Sequence, residues 1–373
     1  DEKETQEFGK VVLLDSLNAH TSFLELFITG KCLPHNFELA LKGIMSMIIE
    51  PKLTEKAFNH EKKVITQEAW GVFLNEKRLA YIRKERANRF YNLPHRLRIA
   101  SALGWPETVQ NITLDDIKSA HATYLVKENM EIYIAGNIEQ VGGIEKIKDI
   151  FTNYIEKTPS GSPSALAEIP ASIDAPKIPV FDHTYEEIGL APREQASVGI
   201  TVIGPRINKQ SDRVNTPEED RHIASLYLTG ELLTDIVFRK LRLDNSWCYG
   251  AGASTSTHID HLALNMGGTI DYNHVDEAIA IMHQIIADIK AGTYAEDFER
   301  TKKMLIENSI ARERNTQSII DRIMDLVRLD GKITTLKEIL LDMTKINFAD
   351  IQNTCTEYFV SEKMFTEIVR PTK

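Results

Sequence analysis

The sequence has few cysteines, no long apolar run and no excess of positive charge, and each shortage excludes something. Only Cys32, Cys248 and Cys355 occur in 373 residues. They are widely separated and form no CxxC pair, so a disulfide framework is excluded and buried free thiols are expected. No apolar stretch approaches the roughly 18 residues that cross a bilayer; the longest, Gly43–Ile49, is far shorter. No basic, apolar and small-residue succession marks a signal peptide. Forty-four basic against fifty-four acidic residues give a net charge of −10, which argues against a duplex nucleic acid as partner. No serine sits in a nucleophile elbow, and Gly250-Ala251-Gly252 is too short for a phosphate loop. The chain opens on Asp-Glu-Lys-Glu without Met, as expected of a mature form, a proteolytic product or the ordered part of something longer.

What is present is a soluble globular composition, 42% hydrophobic and 26% charged, in a chain too long for one core at roughly 100–200 residues per domain. Five of the thirteen prolines fall between Pro159 and Pro179, among Ser, Gly and Ala. This stretch reads as a linker over 158–180, between domains at 1–157 and 181–373. The two halves resemble each other. Ile112-Thr113-Leu114-Asp115-Asp116-Ile117, Tyr124-Leu125-Val126 and Met130 recur 234 positions later as Ile346-Asn347-Phe348-Ala349-Asp350-Ile351, Tyr358-Phe359-Val360 and Met364. Thr113 and Asn347 are N-caps, each with Asp three residues on. Each helix leads to an expected strand, Glu131–Ala135 and Phe365–Val369. Phe58, Lys62-Lys63-Val64-Ile65 likewise matches Phe298, Lys302-Lys303-Met304-Leu305. Two matches in one order point to a duplicated fold. Helical spacing at Phe37–Ile48, Phe58–Phe73, Ala224–Leu232, Ala278–Ile289 and Met304–Ala311, with strands at Val198–Ile203 and Leu262–Met266, gives an α+β class.

The most informative helix is Phe58–Glu68. Glu61 and Glu68 are seven residues apart, so they share one stripe about 20° apart, with Ile65 between them and Val72 beyond. Two carboxylates on an apolar, packed stripe need a cation, a metal or donors; a solvated pair on an exposed face is the other reading. The second half carries Thr301 and Asn308 there. Trp70, Phe73 and Trp247 read as core. The run Arg78, Arg83, Lys84, Arg86 and Arg89 reads as a solvated helix face with i,i+4 pairs, and His258 and His261 as surface or turn histidines.

These features resemble the insulinase/pitrilysin/mitochondrial processing peptidase family of zinc metallopeptidases. Asn18-Ala19-His20-Thr21-Ser22 is similar to its edge strand and Phe58, Glu61 and Glu68 to its metal-ligand helix. His95, Gly104, Val109 and Ile112-Thr113, followed by Tyr124, Asn129-Met130 and Gly136, are similar to the end of its first domain. Arg242 through Tyr249 is similar to its second-domain Arg/Tyr motif. The resemblance runs from about residue 8 to the C-terminus and implies two homologous α/β sandwich domains, mostly antiparallel sheet with helices packed on it. It implies that Glu68 is the third zinc ligand and Glu61 a supporting carboxylate that steadies a histidine ligand. Arg242 and Tyr249 would hold the scissile carbonyl and its oxyanion. Asn18, Ala19, His20 and Thr21 would add a peptide substrate to a sheet edge. It further implies a homodimer or heterodimer enclosing a cavity for unfolded peptides, in a bacterial cytoplasm or periplasm or in an organelle.

One departure limits this. The family's His-x-x-Glu-His, with two zinc ligands and the general base, is absent, and the family spacing would put it just upstream of Asp1. Zinc is therefore expected only in a longer protein, and this chain alone is expected to be inactive. Two functions stay open: a zinc metallopeptidase or fragment of one, and a non-catalytic subunit that lends Arg242 and Tyr249 to an active partner or serves assembly.

Overall fold

The computed structural model describes residues 2–14, 16–22, 25–73, 76, 79–80, 82–83, 101–161, 182–187, 195–206, 216–257, 261–330, 334–361 and 363–371. The chain divides into two compact units, Asp1–Ile169 and Pro170–Lys373. Beyond residue 161 the Pro-rich stretch lies outside the described residues, as does most of the basic run. Arg83, which is described, pairs with Glu107 and lies over the Trp105 ring.

The second unit holds one mixed sheet. Its strands are β3 (Asp182–Glu187), β4 (Gln195–Arg206), β5 (Cys248–Thr257), β6 (His261–Asp271) and β7 (Met364–Pro371), ordered β3-β7-β4-β6-β5. Only the β3–β7 pairing is parallel. Alternation in β4 explains which face is covered: Ala196, Val198, Ile200 and Val202 are buried while Ser197 is exposed. The helix between β4 and β5, Pro217–Phe238, starts at a capping box of Thr216 with Glu219 and has Pro in its first turn. Leu226, Leu232, Leu233 and Ile236 on it are fully buried. Helices Val275–Ala291, Ala295–Arg312 and Phe348–Tyr358 complete one continuous core of thirty buried residues. β5 is an outer strand, and its edge is closed by a side chain. The Thr234 hydroxyl lies 2.7 Å from the Ala253 carbonyl oxygen and accepts the Ala253 N–H at 3.2 Å, so a helix stands where another strand could pair.

The first unit is built differently. Helices Glu2–Val11, Phe37–Ile49, Glu55–Phe73, Pro106–Asn111, Leu114–Tyr124 and Gly143–Ile155 accompany one hairpin, β1 (Asn18–Thr21) with β2 (Leu26–Thr29). Among the described residues its buried side chains include three separate clusters of four, four and three. The strand expected at Glu131–Ala135 does not form, whereas its counterpart is β7. The difference lies in the neighbours. β7 sits between β3 and β4, but 131–135 has no such partner among the described residues, and strand propensity without a ladder leaves the backbone to water. Ile134 is 37% exposed and its counterpart Ile368 only 8%.

The internal resemblance extends to single hydrogen bonds. Thr113 with Asp116 and Asn347 with Asp350 both form capping boxes. Lys62 Nζ donates to the Ile112 carbonyl at 2.7 Å and lies over the Phe58 ring. Lys302 Nζ donates to the Ile346 carbonyl at 3.1 Å and lies over the Phe298 ring. In both halves, then, one lysine ties the middle of a long helix to the residue just before the next capped helix.

Candidate functional site

The helix Glu55–Phe73 presents its carboxylates to solvent. Glu61 and Glu68 are exposed, Ile65 is 36% and Val72 53% exposed. Of the two readings the spacing left open, the one observed is the solvated pair on an exposed face. The face that packs runs through Lys62, Thr66, Ala69 and Phe73. Phe73 is tilted against Trp105 at 5.1 Å, and Ala69 and Leu79 close around the pair. Those aromatics take the core side, and the carboxylate stripe falls on the open one. In the second unit the matching position behaves otherwise: Thr301, the counterpart of Glu61, is 2% exposed.

β1 is exposed along its whole length and pairs only with β2 among the described residues. Asn18, Ala19, His20 and Thr21 therefore lie on a strand with one edge unpaired among the described residues. His20 stacks on Phe27 at 4.5 Å across the hairpin, which anchors its ring to the neighbouring strand.

Arg242 and Tyr249 are brought together. Helix Pro217–Phe238 widens at its end into a π-helical turn, Arg239–Asp244. It stops in an αL cap, with Ser246 N–H to the Arg242 carbonyl at 3.1 Å, and Trp247 N–H reaches back to the Leu241 carbonyl at 3.0 Å. Ser246 takes the left-handed position, φ 59°, usually given to glycine. Ser246→Gly should raise unfolding stability by about 0.5–1 kcal/mol, read as a higher Tm; a lower Tm would mean that the serine side chain itself holds the turn. Below the turn, Asp297 receives Arg239 at 3.0 Å and Arg300 at 2.6 Å, and Arg300 also reaches Asp235 at 2.9 Å. Burial pushes the Asp297 carboxyl up, but the hydrogen bonds and charges of the two arginines outweigh it and hold it below the ordinary range.

From this braced turn Arg242 Nη1 donates to the Cys248 carbonyl at 3.0 Å, and its guanidinium carbon lies 5.6 Å from the Tyr249 ring centroid, within cation–π range. Tyr249 is 86% exposed. A guanidinium with N–H groups to spare beside a solvent-facing phenol is a set of donors suited to a carbonyl oxygen or an oxyanion.

Sequence reasoning missed the supports of this pair. Asp297 and Arg300 lie more than fifty residues from Arg242 and carry no local signal. His261, expected at a surface turn, is 4% exposed because it opens β6 opposite Arg206; His258 lies outside the described residues. Cys248 and Cys355 are buried and free as expected, whereas Cys32 is only half-buried.

The donor set does not fit zinc. Among the described residues no three of His, Cys, Asp and Glu lie close enough together to hold a metal ion, and Glu68 offers one carboxylate where a catalytic zinc takes three protein ligands.

A family model described as the peptidase M16 inactive domain matches residues 111–305, just over half of the chain. A probable mitochondrial-processing peptidase subunit beta of Arabidopsis thaliana is 26% identical over 183 residues, 48% of this chain and 32% of that protein. The match thus spans about a third of the relative's length. Two solved structures share the fold. An M16-like peptidase from Alicyclobacillus acidocaldarius superposes with a TM-score of 0.74 at 16% identity, covering 96% of this chain and 80% of that one. The first half of the periplasmic protease PqqL from Escherichia coli gives 0.71 at 14% identity, covering 98% and 78%. Among the described residues no helix is long and apolar enough to cross a membrane.

Proposed function

This chain belongs to the M16 peptidase family, and from that premise we propose that it is the peptide-gripping component of a zinc metallopeptidase. In this reading Arg242 and Tyr249 hold the carbonyl of an unfolded peptide, and the unpaired edge of β1 pairs with its backbone. The observation that carries it is the Arg242–Tyr249 pair: a guanidinium held by one carbonyl, beside a phenol that is 86% exposed. A tyrosine on view with no packing role is better explained by a ligand than by stability.

Hydrolysis is assigned to groups outside these residues. Family likeness gives Glu68 the role of third zinc ligand and Glu61 that of steadying a histidine ligand, and their place on an open helix face leaves both available to donors from elsewhere. No hydrolytic step follows from the described residues, which lack the two imidazoles and the base. This favours a subunit or segment that completes its centre with further sequence or a related partner. The likeness of the fold to one half of a larger protease supports pairing with a second two-unit body, as a homodimer or heterodimer.

The test is fluorescence anisotropy with a labelled, unstructured 20-residue peptide. Arg242→Ala and Tyr249→Ala should each weaken binding about 10- to 100-fold, the loss of one charge-assisted or buried hydrogen bond, with Tm unchanged in Tyr249→Ala, whose ring is exposed. Elemental analysis of the chain alone should find far less than one zinc per molecule. Unchanged affinity in both variants would remove the pair from the peptide site; stoichiometric zinc with peptide hydrolysis would show that the chain is a complete peptidase.

A further inference from the structure

We propose that His274 is a positioning residue for the Arg242–Tyr249 pair, acting through Trp247. The inference rests on the reading above only for what the pair does; how the pair is held stands on geometry.

The sheet does not fix Tyr249. The β5–β6 ladder pairs Cys248 with Ile270 and next pairs Ala251 with Gly268. Tyr249 and Gly250 together face one residue of β6, a bulge that breaks the register where the tyrosine stands. Gly250 has open space around the position of a side chain, so nothing packs on the bulge from that residue. The aim of Tyr249 must therefore be set by the residues just before it.

Those residues are locked by Trp247, which is held at three points. Its N–H reaches the Leu241 carbonyl at 3.0 Å, and its carbonyl accepts the Asp271 N–H at 2.7 Å. Its ring stacks on His274, centroids 4.6 Å apart and planes 8° apart. The next residue, Cys248, is 3% exposed and gives its carbonyl to Arg242. Three consecutive residues thus anchor the strand, bind the guanidinium and present the phenol. The two backbone bonds fix where the Trp247 main chain lies, and the stack fixes the rotation of its ring against the start of helix Val275–Ala291.

His274 holds this place at a cost. Its Nδ1 is buried with no hydrogen-bond partner among the described residues, and an unsatisfied buried polar atom is unfavourable. No hydrogen bond from Nδ1 offsets the burial, so the flat ring against Trp247 is what the position supplies. The Asp271 carboxylate, which accepts the Asn273 N–H at 2.8 Å, shapes the short turn that delivers the ring.

The direct test replaces tyrosine by 3-fluorotyrosine and follows the 19F signal assigned to position 249. His274→Ala should shift and broaden that signal as the ring leaves Arg242; His274→Phe, which keeps a flat ring, should restore it. If the alanine variant does not fold, His274→Leu keeps the apolar volume without the stack and should show the same shift. Peptide anisotropy gives the second readout. His274→Ala should weaken binding about tenfold, and on an Arg242→Ala background it should add nothing, since both changes break one unit. An unmoved 19F signal in the alanine or leucine variant overturns the proposal. A moved signal with no peptide binding in the unsubstituted protein overturns the peptide-gripping function instead and leaves the positioning role standing.

Discussion

Produced separately, residues 182–371 should unfold in one cooperative transition, and residues 2–161 should not. The second segment contains a sheet whose buried face carries Val198, Ile200, Leu264 and Met266 against Leu232, Leu233, Ile285 and Phe298, all within one core. Helices Pro217–Phe238 and Phe348–Tyr358 start at capping boxes, and the β5 edge is bonded at Ala253. A stability in the ordinary range of about 5–15 kcal/mol is expected. The first segment has three small clusters that do not merge, an exposed extended stretch at 131–135 and an open stripe on its longest helix. The apolar surface that its described residues bury is small against the entropy of ordering their helices. Urea unfolding followed by circular dichroism decides this. A steep, single transition for the first segment, with a midpoint near that of the second, would show that its clusters cooperate.

Alkylation of the three thiols should differ widely in rate, with Cys32 fastest and Cys355 slowest. Burial pushes the Cys355 thiol up to about 12, with nearby Lys290 drawing it slightly back. At pH 8 its thiolate fraction is then about a thousandfold below that of a thiol at 9.0, before access is considered. Cys248 is raised by burial, against a pull downward from Arg242, and Cys32 is raised by burial alone while remaining only half-buried. Iodoacetamide with peptide mass mapping should therefore modify Cys32 first and Cys355 only as fast as the second unit opens. Equal rates at Cys32 and Cys355 in the folded protein would contradict this. The same group sets a pH limit. Below pH 9 the thiol is protonated in both states and costs nothing; between 9 and 12 only the unfolded thiol ionises, so stability is lost as pH rises through that window.

Most of the fold could be read from the sequence because it was written twice. The capping pairs Thr113–Asp116 and Asn347–Asp350 recur 234 positions apart and the lysines Lys62 and Lys302 recur 240 apart, and each does in space what its copy does. Periodicity gave the helices of both halves and the strands of the second. It failed at 131–135, where an apolar alternation cannot report whether a neighbour exists to pair with. It left the facing of Glu61 and Glu68 open. Spacing shows that two side chains share a stripe, but which stripe packs was decided by Phe73 and Trp105, through a contact that joins distant parts of the chain. The Arg242–Tyr249 separation was legible, whereas the left-handed Ser246, the Asp297 bridge and the Trp247–His274 stack were not. All three depend on where the helix ends and on partners brought in by the sheet.

Thr234 has a consequence for self-association. By bonding to both backbone groups of Ala253 from the side, it denies the β5 edge to any incoming chain at that point. β3 is the other outer strand of the sheet. Edge-to-edge pairing of a second chain is thereby obstructed at the β5 border, and Thr234→Val would leave both Ala253 groups unbonded beneath the helix, a loss of stability rather than a new pairing edge.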